Sequence, residues 1–153
     1  MQVEIVEFPE TLVAALEHRG PESLTYLTTQ KFVEWRQQNG IRPHMGNTYG
    51  IHYTDHQSVL PEDYRLDICV SVSEPVKPNP QGVVSKRIPA GRCAKVRNTG
   101  TRHELTGPRY LLEQWLPASG EVLRHFPIFF HYVNVGPGIR EQDQITDIYL
   151  PIR

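Results

Sequence analysis

His52 and His56 stand four residues apart, and His131 sits inside the aromatic run PIFFHYVN (Pro127–Asn134), so a metal site is the first chemistry to weigh. Two histidines at i and i+4 converge on one ion when a helix carries them. Here GIHYTD reads as a strand end passing into a loop, and no cysteine or acid pair has the spacing of a zinc site. The spacing predicts no metal centre; the expected use of His52 or His131 is a neutral imidazole donating one hydrogen bond. Ser23, Ser58 and Ser119 have loop contexts without a strained Gly-x-Ser-x-Gly turn, and neither a Walker loop nor a dinucleotide fingerprint occurs. Cys69 and Cys93 lie in apolar strand-like runs (LDICVSV and CAKVRN), the setting of buried free thiols. No catalytic constellation and no cofactor is expected. Of the acids near strands, Asp67 and Asp147 read as structural partners for Arg65 and Arg140, or as cleft carboxylates if either points inward.

What remains is aromatic surface. PIFFHYVN has the composition of a strand, with a proline at its start and β-branched Val133 near its end. Alternation sends Phe130 and Tyr132 to one face and Phe129 and His131 to the other. Such a strand is either buried on both sides or has one face lining a cavity. Tyr132 and Tyr149 carry hydroxyls that need partners when buried, which suits a cleft, and Tyr49 and Tyr53 are the corresponding candidates earlier in the chain. Trp35 and Trp115 lie near the ends of amphipathic segments, where they pack on a sheet or edge a cleft.

The elements that would position these groups occur twice. Residues 1–73 laid over 81–153, at a shift of 80 with no gaps, share nine identities, among them Gly20/Gly100, Trp35/Trp115, Gly40/Gly120 and Asp67/Asp147. In each half a strand-like run (LVAALEHRG, CAKVRNTG) closes on a glycine, an amphipathic segment ends near a tryptophan, and two more strands follow. The first helix uses Leu24, Leu27, Phe32 and Trp35 as its apolar stripe, with Gly40 as its stop. The second carries Tyr110, Leu111, Leu112 and Trp115, begins at about His103 or at Pro108, and ends at Pro117. Between the halves SEPVKPNPQG reads as a linker, set at residues 74–80. Each half is β-β-α-β-β, too small for a full core alone. The fold class is therefore α+β, a tandem duplication with pseudo-twofold symmetry and a ligand cleft between the halves, forming one domain over 1–153.

Composition narrows the partners. Net charge is −1, the isoelectric point is near 6.6, and lysine and arginine form no basic run, so direct binding to nucleic acid is not expected. No apolar stretch is long enough to span a membrane and no signal-peptide pattern opens the chain, which suggests the cytoplasm.

The order of LEHRG, the tryptophan-bearing helix, GIHYTD, YRLDICVSV, IPAGRCAKVRNTG, LEQWLPASG, PIFFHYVN and ITDIYLPI resembles the GyrI-like small-molecule-binding domain, nearly end to end. That domain is also the effector-binding part of AraC-type and MerR-type regulators. The resemblance implies a ligand cleft between the repeats. It also implies a departure, because the family's cleft glutamate, which pairs with cations and serves catalysis in hydrolase-like members, is Phe130 here, while the tyrosine is kept as Tyr132. The expected function is a stand-alone binder of a hydrophobic, aromatic small molecule, linked to transcription or to stress and drug response. Phe130, Tyr132 and Tyr149 would form one wall and His52 and Tyr49 the other, with Trp35 and Trp115 nearby. A protein partner, a regulator or gyrase, would pass on the signal. The alternatives are a DNA gyrase inhibitor acting through protein contact and, less favoured, a hydrolase of electrophilic small molecules.

Overall fold

The computed structural model describes residues 1–55 and 58–153, so His56 of the histidine trio lies outside the described residues. Eight strands form one antiparallel sheet: β1 (Glu4–Phe8), β2 (Thr11–Arg19), β3 (Thr48–His52), β4 (Arg65–Ser71), β5 (Val84–Ile88), β6 (Gly91–Thr99), β7 (Phe129–Tyr132) and β8 (Ile145–Pro151). Their order across the sheet is β1-β6-β8-β7-β3-β4-β2-β5. The register repeats with the 80-residue shift: Val13 opposes Ser71 as Cys93 opposes Pro151, and Tyr49 opposes Cys69 as Phe129 opposes Tyr149. β3 and β7 meet at the centre, where Gly50 opposes its own counterpart, Phe130. The pseudo-twofold axis passes between these two residues.

The first strand of each half crosses over to the other. Glu4 of β1 opposes Lys95 of β6, and its equivalent, Val84 of β5, opposes Ala15 of β2. Only Pro9-Glu10 and Pro89-Ala90 separate each outer strand from the next. A two-residue hairpin turn needs positive φ, which proline cannot adopt and which, among the described residues, only glycines adopt. The chain therefore continues instead of folding back, and β1 and β2 are not a hairpin.

Alternation divides the core. On one face Ala14, Leu16, Val70 and Val83 pack under helix α1 (Thr25–Gln38), which contributes Phe32 and Trp35. On the same face of the second half Ala94, Val96, Phe130, Ile148 and Leu150 pack under a helical run over 107–119. The other face carries no helix and is filled by Phe8, Tyr49, Ile51, Ile88, Phe129 and Tyr149. The rings of Phe8 and Tyr49 lie 6.1 Å apart although four strand spacings separate β1 from β3. In a flat sheet that separation would be about 19 Å. The sheet is thus curled into a half-barrel around its own aromatic side chains, with both helices on the outside.

Two helix details differ from the sequence reading. Leu24 and Leu27 are exposed, and the buried face of α1 is Phe32, Trp35 and Arg36, because the guanidinium spends its donors on the loop that follows. In the second helix a π-helical stretch, Tyr110–Trp115, precedes a last turn, Leu116–Ser119, so Pro117 sits in the first turn of a new segment and the helix ends at Gly120 with φ +77°. The start falls at Gly107-Pro108. Gly107 lies flat on the sheet: a Cβ there would be 2.4 Å from Ile148 Cδ1 and 2.6 Å from Asn98 Oδ1. Gly107→Ala should destabilise the fold by about 1–3 kcal/mol, read as a lower urea midpoint at unchanged slope.

Candidate functional site

The β3/β7 seam presents Thr48, Gly50, His52, Phe130 and Tyr132 to the helix face, where the two helices flank it. Phe130 is 7% exposed; its ring lies 4.1 Å from that of His52 and meets Tyr132 edge-on at 6.3 Å. It is packed into the second half's core against Leu111 and Ile148 more than displayed. Tyr132 crosses the bare backbone of Gly50, its hydroxyl 2.6 Å from where a Cβ would stand. Burial, with Tyr64 nearby, raises the Tyr132 phenol well above its ordinary range, so it stays a protonated donor at neutral pH. The Arg102 guanidinium lies 5.2 Å from the Tyr132 ring centre.

At the Thr48–Tyr132 end of the seam a cavity of about 290 Å³ opens between the segments 43–48 and 132–139, one from each half. Pro43, Val133, Val135 and Ile139 give it apolar walls, and Thr48 and Asn134 stand among its polar ones. Two arginines build the walls from behind. Arg36 donates to the carbonyls of Arg42 (2.7 Å) and Met45 (3.2 Å) and to Thr48 Oγ1 (3.1 Å). Arg102 donates to Thr146 Oγ1 (2.8 Å), to both oxygens of Asn134 (3.0 and 3.1 Å) and to the Ile145 carbonyl (2.6 Å). A second, shallower depression of about 380 Å³ lies beside β5. It draws on one edge of the sheet, and its Lys86 is already bound to Asp67 at 2.6 Å.

The residues proposed for the cleft do not all share a face. Tyr149 pairs with Phe129 across the β7/β8 ladder and stacks on it at 5.0 Å, so it lies on the helix-free side with Tyr49, away from Phe130, Tyr132 and His52. The grouping of Tyr149 with Phe130, and of Tyr49 with His52, fails on strand parity. Trp35 is 4% exposed and stacks on Phe32 in the core; Trp115 is half-buried against the second half's core. Asp67 and Asp147 also face the helix-free side, with partners other than those expected. Asp67 accepts from Lys86 and from the Tyr53 hydroxyl (2.7 Å), and Asp147 accepts a two-pronged contact from Arg97 at 2.8 and 3.0 Å with Lys95 at 3.5 Å. Arg65 pairs with Glu17 and Arg140 with Asp143. Neither aspartate can stand in for a carboxylate at Phe130. Thr48, Asn134, Arg36 and Arg102 were missed by the sequence reading; they lie in loops or at element ends and share no period.

A curled antiparallel sheet of two fused halves, with helices outside and an aromatic seam between them, defines a duplicated α+β domain with a cavity where the halves meet. The chain belongs to the GyrI-like family: the model of the GyrI-like small molecule binding domain matches residues 1–153. It is 40% identical to the probable transcriptional regulator YgiV of Escherichia coli K12, over 99% of this chain and 96% of that one. It is 30% identical to a DNA gyrase inhibitor of Erwinia billingiae, over 99% and 97%. The fold matches the crystal structure of the EcmrR C-terminal domain with a TM-score of 0.73 at 18% identity, over 99% of this chain and 97% of that one. It also matches EcmrR in a DNA complex (TM-score 0.77, 16% identity, 99% of this chain), where it spans only 57% of that chain. SAV2435 bound to tetraphenylphosphonium matches with a TM-score of 0.60 at 10% identity, over 100% of this chain and 94% of that one. Among the described residues no helix is long and apolar enough to cross a membrane.

The Asp147 site gives a test of the structural assignment. Burial raises its carboxyl, but the Arg97 hydrogen bonds and the charges of Lys95 and Arg97 outweigh burial and hold it below the usual carboxylate range. A depressed folded value stabilises the fold above the unfolded value of about 3.9 and ceases to do so as pH falls through the folded one. Asp147→Asn should cost about 1–2 kcal/mol at neutral pH, a modest figure because Arg97 is half exposed, and the difference from wild type should vanish near pH ~2 in denaturant titrations.

Proposed function

We propose that this protein binds a flat, mostly apolar small molecule over the β3/β7 seam and that the bound state is read by a partner protein. The observation that carries this reading is the cavity at Thr48 and Tyr132, because its walls come from both halves. Curling the sheet away from the helices spreads their outer sides and favours a gap above the seam. Tyr26 and Val33, one heptad apart on α1 and both exposed, fall on the same side of that helix as Arg36, which reaches β3. They offer apolar area beside the seam, worth roughly 25 cal/mol per Å² covered. Tetraphenylphosphonium in the SAV2435 structure supports an aromatic ligand, and the names of YgiV and EcmrR support a role in transcriptional control.

A second reading, inhibition of DNA gyrase through surface contact, is favoured by the full-length likeness to the Erwinia protein. Ligand binding separates the two. Calorimetric titration with planar aromatics should give saturable binding that Tyr132→Ala weakens by about tenfold or more, the loss of one stacked ring contact of ~1.4 kcal/mol. Tyr149→Phe, on the opposite face, should leave affinity within about twofold. Equal weakening by both changes, or no binding at all, would reject the seam as the site.

A further inference from the structure

From the cavity at Thr48 and Tyr132 we infer the sign of its ligand: it takes an aromatic acid, with the carboxylate or another anionic group set against Thr48 on the side of Arg102 and the ring on the apolar wall. This rests on the seam being the binding site. None of the nine residues lining the cavity is acidic. Directly behind the lining are two guanidinium groups, Arg36 on the Thr48 side and Arg102 on the Tyr132 side. Among the described residues, neither has a carboxylate within ion-pair distance. Burial lowers both arginines from their ordinary range; no carboxylate counters it in either case, and at Arg102 only the Tyr132 phenol opposes it. Their hydrogen bonds go to backbone carbonyls and neutral oxygens, which leave the positive charge uncancelled. Two uncompensated charges next to a half-enclosed space are costly unless an anion or water answers them.

The hydrogen-bonding groups point the same way. Thr48 Oγ1 accepts from Arg36, so its own proton is turned elsewhere. The Tyr132 phenol is held protonated over Gly50, which does not line the cavity, so Thr48 is the hydroxyl donor at that wall and Tyr132 lends its ring. Asn134 is spent: its Oδ1 accepts from Arg102 and from the Ile145 N–H, and its amide donates to the Asp143 carbonyl. Of the five N–H donors of Arg102, those on Nη1 have no acceptor among the described residues. The cavity therefore offers donors and positive charge and no anionic acceptor. Phe130 brings no charge to the seam that would oppose a negative ligand. A cation such as tetraphenylphosphonium meets the wrong field here.

Three ligands of one shape decide it: 2-naphthoate, 2-naphthamide and 2-naphthylmethylammonium, titrated calorimetrically into the full chain at one pH and ionic strength. The carboxylate should bind about tenfold more tightly than the amide, the difference between a charged and a neutral hydrogen-bond acceptor, and the ammonium should bind most weakly. Arg102→Gln should bring the carboxylate-to-amide ratio close to one, the ratio cancelling any loss that both ligands share through the wall Arg102 holds. Should Arg102→Gln not fold, Thr48→Val serves instead and should lower the carboxylate's affinity about three- to fivefold. Ammonium binding as tight as carboxylate binding, or an unchanged ratio in the variant, overturns the inference and leaves the seam standing as a site. Failure of all three ligands to bind overturns both.

Discussion

Gly50 and Phe130 face each other across the middle of the sheet, and they are the same position of the two halves. Directly opposed side chains on one face of an antiparallel pair have their Cβ atoms about 5 Å apart, so two large ones at the pseudo-twofold axis would compete for one space. Here one partner is absent. The Tyr132 ring takes up the room above Gly50, Phe130 leans onto His52, and the two ends of the seam become different. The cavity appears at one end, by Thr48 and Tyr132, as a result of that asymmetry. A side chain at position 50 would push Tyr132 away and alter the cavity without touching its other walls.

The two faces of the sheet divide the remaining work. The inner face is a closed aromatic core in which Phe8, Tyr49, Phe129 and Tyr149 meet edge-on and stacked. Its charged fringe, Asp67 with Lys86 and Asp147 with Arg97, seals the flanks. The outer face gives up some packing at the centre, since each helix covers its own half. Arg36 and Arg102 are the devices that hold loops in that gap, each replacing several separate contacts with one rigid fork of donors.

Much of the fold could be read in the chain because repetition doubles a weak signal. The glycines at 20, 40, 100 and 120 and the paired tryptophans mark the same turns and helix ends twice, and the gapless shift of 80 reappears in the strand register. Face assignment within PIFFHYVN also follows from period two. Which strand lies next to which does not, because Pro9 and Pro89 redirect the outer strands by forbidding a turn, and the pattern of a strand does not name its neighbour. Tyr149 was misplaced for the same reason: its face depends on pairing with Phe129, a contact of two strands separated in sequence. Arg102 gave no sign of its role, since one arginine in a loop looks like any solvated one until Asn134, Ile145 and Thr146 converge on it.

The exchanged outer strands carry one more implication. β1 completes the sheet of the half that follows it, and β5 completes the half that precedes it, so each half borrows an edge from the other. Either half on its own would be left holding a strand it cannot use and missing one it needs. Two identical copies would satisfy each other by swapping, and the present chain is laid out as such a swapped pair made permanent by a ten-residue tether, SEPVKPNPQG. Once both copies were in one chain they were free to diverge, and a glycine on one side of the axis could face a phenylalanine on the other.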